Sequence, residues 1–125
     1  MVKFLILIYD NPASRKLWSQ LTEEQRKEGV QGYRELNAAL EASGEGIVNQ
    51  ALADADQTKQ VTVRDGRLVT TDGPFAEAKE QLAGFYLVET ETLDKAVEYA
   101  AMIPEASGFG IVEVRPVMDL SALGL

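Results

Sequence analysis

The sequence predicts an α+β domain, and three observations predict it. Apolar runs of strand length alternate with helical stripes in the order strand, helix, strand, hairpin, strand, helix, strand. That order is the ferredoxin-like βαβ-βαβ layout with an inserted β-hairpin. The 125 residues fit one domain, so residues 1–125 are read as a single unit. Finally, two of the strands are apolar on both alternating faces, although two helices cover only one face of a sheet. A second copy over the other face gives a dimeric α+β barrel with isologous symmetry.

The elements follow in order. Lys3 to Tyr9 reads as a strand with Phe4, Ile6 and Ile8 on one side and Leu5, Leu7 and Tyr9 on the other, the pattern of a strand buried on both faces. Asn11-Pro12 breaks it, and Ser14 to Gln20 forms a short helical turn carrying Trp18. Thr22-Glu23-Glu24-Gln25 is a capping box that opens a long helix, whose stripe is Val30, Tyr33, Leu36 and Leu40. Gly29 and Gly32 lower helix propensity, so close backbone packing must compensate; Gly44 suits a left-handed cap. Ile47 to Leu52 is a short strand. Val61 to Thr70 is a hairpin, because Asp65-Gly66 fits both positive-φ positions of a type I′ turn. Its register pairs Val63 with Leu68 and Val61 with Thr70, and sets Arg64 opposite Arg67 on a solvated side. Leu82 to Glu89 is the second strand apolar on both faces. Thr92 caps a helix with the stripe Leu93, Ala96, Val97 and Ala100, which Pro104 stops. Gly110 to Val117 is the last strand, and Leu120 to Leu125 is an apolar tail.

Composition removes several chemistries. The chain has no cysteine and no histidine, which excludes disulfides, thiolate nucleophiles, structural zinc, Ser-His-Asp triads and histidine-ligated haem. Any general acid or base is then Asp, Glu, Lys or Tyr, or comes from substrate or solvent. No cofactor and no metal is expected, although an all-oxygen Mg²⁺ or Ca²⁺ site remains open in principle. With 12 basic and 20 acidic residues the net charge is −8, and no run of Lys or Arg is present. Neither nucleic acid nor an anionic membrane is an expected partner. Phe4 to Tyr9 is too short for a transmembrane helix and lacks the cleavage signature of a secretory signal, so a cytoplasmic location is expected.

A sheet left apolar on its second face would be an aggregation hazard. Either a homodimer hides that face, or the hairpin and the C-terminal tail fold back over it within one chain. The dimer is the expected answer, since symmetric dimers are the commonest oligomers.

One segment stands apart from generic patterning: Asp72-Gly73-Pro74-Phe75-Ala76-Glu77-Ala78-Lys79-Glu80, which runs on into Gly84-Phe85-Tyr86. Gly73 permits positive φ, Pro74 fixes its own, and Phe75 can anchor the turn in the core. With these residues the chain resembles the DGPF family of the wider YCII-related group, whose DGPFAETKE signature it matches except that Ala78 replaces Thr. The likeness extends to Ile8-Tyr9, Val63-Arg64-Asp65-Gly66 and Glu113-Val114-Arg115-Pro116. The resemblance implies a dimeric α+β barrel and no settled biochemical activity. It also implies a link to extracytoplasmic-function sigma factors for some members. A His–Asp pair proposed as catalytic in part of the wider group has no counterpart here, because the chain lacks histidine.

Candidate site residues each carry two readings. Asp72 is a general base or ligand contact, or it bonds the amides of its own turn. Lys79 and Glu80 hold an anionic ligand and move a proton, or form a structural ion pair worth little if exposed. Tyr9 is a ligand donor where a cleft would open, or a satisfied core tyrosine. Arg115 binds a carboxylate, or pairs with Glu113 or a partner's acid. Glu77 and the Arg64/Arg67 pair read as solvated, and Trp18 as a packing anchor. Asp72, Lys79 and Glu80 are therefore the catalytic candidates, with Tyr9 and Arg115 added for ligand binding. Three functions stay open: a small-molecule-binding dimer, a cofactor-independent lyase or isomerase, and a regulatory partner of a sigma factor.

Overall fold

A computed structural model of the chain describes residues 1–74, 79–108 and 110–125. The expectations placed on Phe75, Glu77 and Ala78 lie outside the described residues. Among the described residues six strands and four α-helices follow in order: β1 (Val2–Asp10), α1 (Pro12–Ser19), α2 (Glu23–Gly29), α3 (Gln31–Ser43), β2 (Gly46–Ala51), β3 (Lys59–Arg64), β4 (Arg67–Asp72), β5 (Gln81–Thr90), α4 (Leu93–Ala101) and β6 (Ile111–Pro116). Short 3₁₀ turns lie at Ala55–Gln57, Pro104–Ser107 and Ser121–Leu123.

A four-stranded sheet has the order β2-β5-β1-β6, and every neighbouring pair is antiparallel. With the β3–β4 hairpin set aside, this is the ferredoxin-like arrangement, the two long central strands coming from the two βαβ halves. The hairpin makes a separate two-stranded sheet. Asp65 and Gly66 at its tip have φ of 50° and 73°, as a type I′ turn requires, and Val63 pairs with Leu68 and Val61 with Thr70.

The core lies between the sheet and helices α3 and α4. Phe4, Ile6 and Ile8 of β1 and Tyr86 and Val88 of β5 pack with Leu36, Leu40, Ala96, Tyr99, Ala100 and Ile103. The opposite side chains of the same strands, among them Leu5, Leu7, Phe85 and Leu87, are only half-buried. The central strands are therefore not buried on both faces, as their composition predicts; one face is sealed and the other is open.

Local sequence also accounts for the breaks. The long helix predicted from Thr22 is two helices, because Gly29 and Val30 interrupt it. The Thr22–Gln25 capping box is present at the first of them. Instead of a turn from Ser14, α1 begins at Pro12, with Asn11 as N-cap accepting the Ser14 N–H at 2.8 Å. In α4 the buried positions are Ala96, Tyr99 and Ala100, while Leu93 and Val97 are exposed, so the stripe is rotated toward Tyr99. Gly32 meets the expectation of close packing: a Cβ there would lie 2.7 Å from the Met102 carbonyl oxygen.

Candidate functional site

The C-terminal end of β1 gathers polar side chains from elements far apart in the sequence. Register places Tyr9 beside Leu82 of β5 and Ile111 of β6, on the open face, and places Asp10 beside Gln81. The pairing skips Ala83, so a bulge re-aims the strand where Tyr9 emerges. Glu80 enters immediately before β5; it is half-buried, and its Oε2 is buried without a hydrogen-bond partner among the described residues. A carboxylate oxygen left in that state carries a desolvation penalty that a donor from a ligand would relieve.

Behind this end, on the helix side, Arg15 of α1 donates from Nε to Asp10 Oδ1 at 2.9 Å and pairs through Nη1 with Asp54. Helix α3 contributes Tyr33 and, one turn later, Asn37. The Tyr33 hydroxyl donates to Glu105 of the Pro104–Ser107 turn, and the Tyr86 hydroxyl donates to Asn37 Oδ1 at 2.7 Å. Burial, then the hydrogen bond to Glu105 and its negative charge, hold the Tyr33 phenol far above its ordinary value. Burial, followed by the charge of Glu105, raises Tyr86 as well. Both hydroxyls stay protonated at neutral pH and act as hydrogen-bond donors rather than as bases. An open groove of about 220 Å³ runs from Tyr86 and Asn37 along α3 and β2, past Leu40, Glu41, Ile47 and Val48.

The structure brings Tyr9 and Glu80 to the same end of the sheet. It holds Asp72 elsewhere, exposed at the base of the hairpin and ion-paired with Lys59. There the Gly73 N–H closes the hairpin on Thr58 O at 2.7 Å, with Gly73 at φ 86°. Lys79 is exposed, with no ion pair among the described residues. Arg115 lies opposite Leu5 on the open face, four positions from the row of Tyr9 and so ~13 Å away along the strands. The Tyr33–Glu105 and Tyr86–Asn37 pairs were not among the residues singled out from the sequence. Their one legible signal is the spacing of Tyr33 and Asn37 on a single helix face.

An uncharacterized protein of Rhizobium meliloti (strain 1021) is 33% identical over 121 residues, spanning 91% of this chain and 90% of its own length. A solved structure, 5-chloro-2-hydroxyhydroquinone dehydrochlorinase from Burkholderia phenoliruptrix AC1100 in complex with 2,5-dihydroxybenzoquinone, aligns with a TM-score of 0.49. Its sequence is 18% identical, and the alignment covers 93% of each chain. The YCII-related domain family matches residues 2–121. With nearly its whole length matched, this chain belongs to the YCII-related domain family.

Proposed function

We propose that this YCII-related protein is a homodimer, closed through the open face of its sheet into an α+β barrel, that binds a small molecule at the Tyr9–Glu80 end. The observation that carries the dimer is the central patch Leu5, Leu7, Phe85 and Leu87, which the helices leave uncovered. The rival covering within one chain lacks support. Val61, Val63 and Leu68 of the hairpin are 65%, 68% and 70% exposed, and Met118, Leu123 and Leu125 of the tail are exposed as well. Apolar surface on both the face and these arms is what a second copy would bury. Sedimentation at micromolar concentration tests the reading, and a folded species of about one chain mass rules it out.

The ligand site rests on Glu80. Its oxygen, unpartnered among the described residues and at the same sheet end as Tyr9, favours a neutral or cationic ligand bearing a hydroxyl or amine donor, with the Tyr9 hydroxyl as a further contact. A thermal-shift screen of such metabolites should find hits whose stabilisation is lost in Glu80→Gln and Tyr9→Phe. Hits that survive both changes, and survive Asp72→Asn and Lys79→Met, place the site elsewhere. A second reading, a cofactor-independent lyase or isomerase, is favoured by the protonated Tyr86 hydroxyl that lines the groove, whose O–H, turned from Asn37 Oδ1, can donate to a developing oxyanion. Under that reading Tyr86→Phe abolishes turnover of a ligand that still binds.

A further inference from the structure

The open face is organised in rows that run across the strands. One row is Val48, Leu87, Leu5 and Arg115; the next on the same face is Gln50, Phe85, Leu7 and Glu113. Between them lies the row Asn49, Tyr86, Ile6 and Val114, of the opposite parity, its Tyr86 and Ile6 buried in the helix-side core. Arg115 and Glu113 are exposed, and neither has an ion pair among the described residues. An isologous interface places each surface feature against its own copy turned by 180°, so a patch suits that symmetry only if it is complementary to itself.

We propose that the two-fold axis of the dimer crosses the strands along the Asn49–Tyr86–Ile6–Val114 row, so that Arg115 of each copy meets Glu113 of the other. This rests on the dimer reading above and fixes its register. Under that single placement three of the four columns match, and the β2 edge column sets Val48 against the partner's Gln50. Leu5 faces the partner's Leu7, Leu87 faces the partner's Phe85, and Arg115 faces the partner's Glu113. Apolar groups thus meet at the centre and opposite charges at the rim, which is how charge sets register in an interface. The neighbouring placements fail on charge. An axis along the Leu5 row sets Arg115 against Arg115, and one along the Leu7 row sets Glu113 against Glu113. An axis parallel to the strands lays β6 over β2, whose open-face residues Val48 and Gln50 carry no charge to meet either ion. Only the proposed placement leaves no ion opposite a like or uncharged group at these positions. It also carries Lys3, which lies in the next row beyond Leu5, toward the partner's Tyr9, so that the second copy supplies an ammonium group to the ligand-binding end.

The test is a charge-exchange cycle read by sedimentation equilibrium at low salt, where exposed charges are least screened. Both residues are exposed on an edge strand, so the variants keep the fold, which far-UV circular dichroism checks. Glu113→Arg and Arg115→Glu each place two like-charge contacts in the dimer and should raise the dissociation constant about tenfold or more. The double variant Glu113→Arg with Arg115→Glu should restore it to within about threefold, because the exchange preserves the pairing. Single variants that dimerise as tightly as the natural chain, or a double variant no tighter than the singles, would overturn the axis while leaving the dimer standing. A natural chain that sediments as the 13.7 kDa monomer removes the dimer reading and this inference together.

Discussion

The two faces of the central strands β1 and β5 are both apolar in composition, yet they end in different states. On the helix side Ile6 and Val88 are 0% exposed and Phe4 and Ile8 are 4%. On the other side their sequence neighbours Leu5, Leu7, Phe85 and Leu87 remain half-buried, ringed by Gln50, Glu113 and Arg115. Strand composition therefore sets how much apolar surface must be hidden, and the position of α3 and α4 sets which half is hidden within the chain. The other half is free to take part in assembly.

That contrast is most directly tested by paired truncations. Ile6→Ala should cost about 2–5 kcal/mol in urea unfolding, the range for removing a large aliphatic side chain from a closed core. Leu5→Ala should cost less than half as much, and under the proposed dimer its effect should depend on protein concentration, because the cavity would then lie between the two copies. Equal losses independent of concentration would break the comparison. A smaller effect is expected at the helix–turn contact that seals the covered face. Gly32→Ala drives a Cβ toward the Met102 carbonyl and to 3.1 Å from Pro104 Cγ, and should cost about 1–3 kcal/mol, read as a lowered Tm.

The buried phenols on the covered face sharpen the contrast through pH. Tyr33 and Tyr86 have raised folded-state values, so their protonated forms favour the fold below the ordinary tyrosine value of 10.0. That contribution declines as pH rises above it. Stability should hold to about pH 10 and fall beyond it, and Tyr33→Phe should flatten the fall. A phenolate absorbance that develops fully while the chain stays folded would contradict the closed environment assigned to both rings. The smallest effect is expected on the hairpin, where the exposed Lys59–Asp72 pair makes Lys59→Met worth no more than about 1 kcal/mol in thermal unfolding.

The candidate site was legible only in part. Tyr9 and Glu80 could be named because one ends an apolar strand and the other closes a turn with its own signature, and the antiparallel pairing of β1 with β5 then sets them at one end. Asp72 belongs to the same signature but lies in β4, where its cross-strand neighbour Lys59 takes its carboxylate. Tyr33 shows how a correct reading can be incomplete. It belongs to the predicted stripe, but its hydroxyl finds Glu105, distant in sequence, only because Gly32 lets α3 approach Pro104 at the start of the Pro104–Ser107 turn.

Local chemistry alone determined the strand and helix order, the type I′ hairpin, the Thr22 and Thr92 caps and the left-handed Gly44, each set by a few neighbouring residues. The exclusion of cysteine and histidine chemistry came equally from composition. Tertiary packing decided what period and propensity leave degenerate: the division of the long helix at Gly29, the rotation of α4 toward Tyr99, and which of two apolar strand faces the helices cover. A strand with grease on both sides holds no information about which side a helix will take, and that choice is made by the lengths and entry angles of the connections around it.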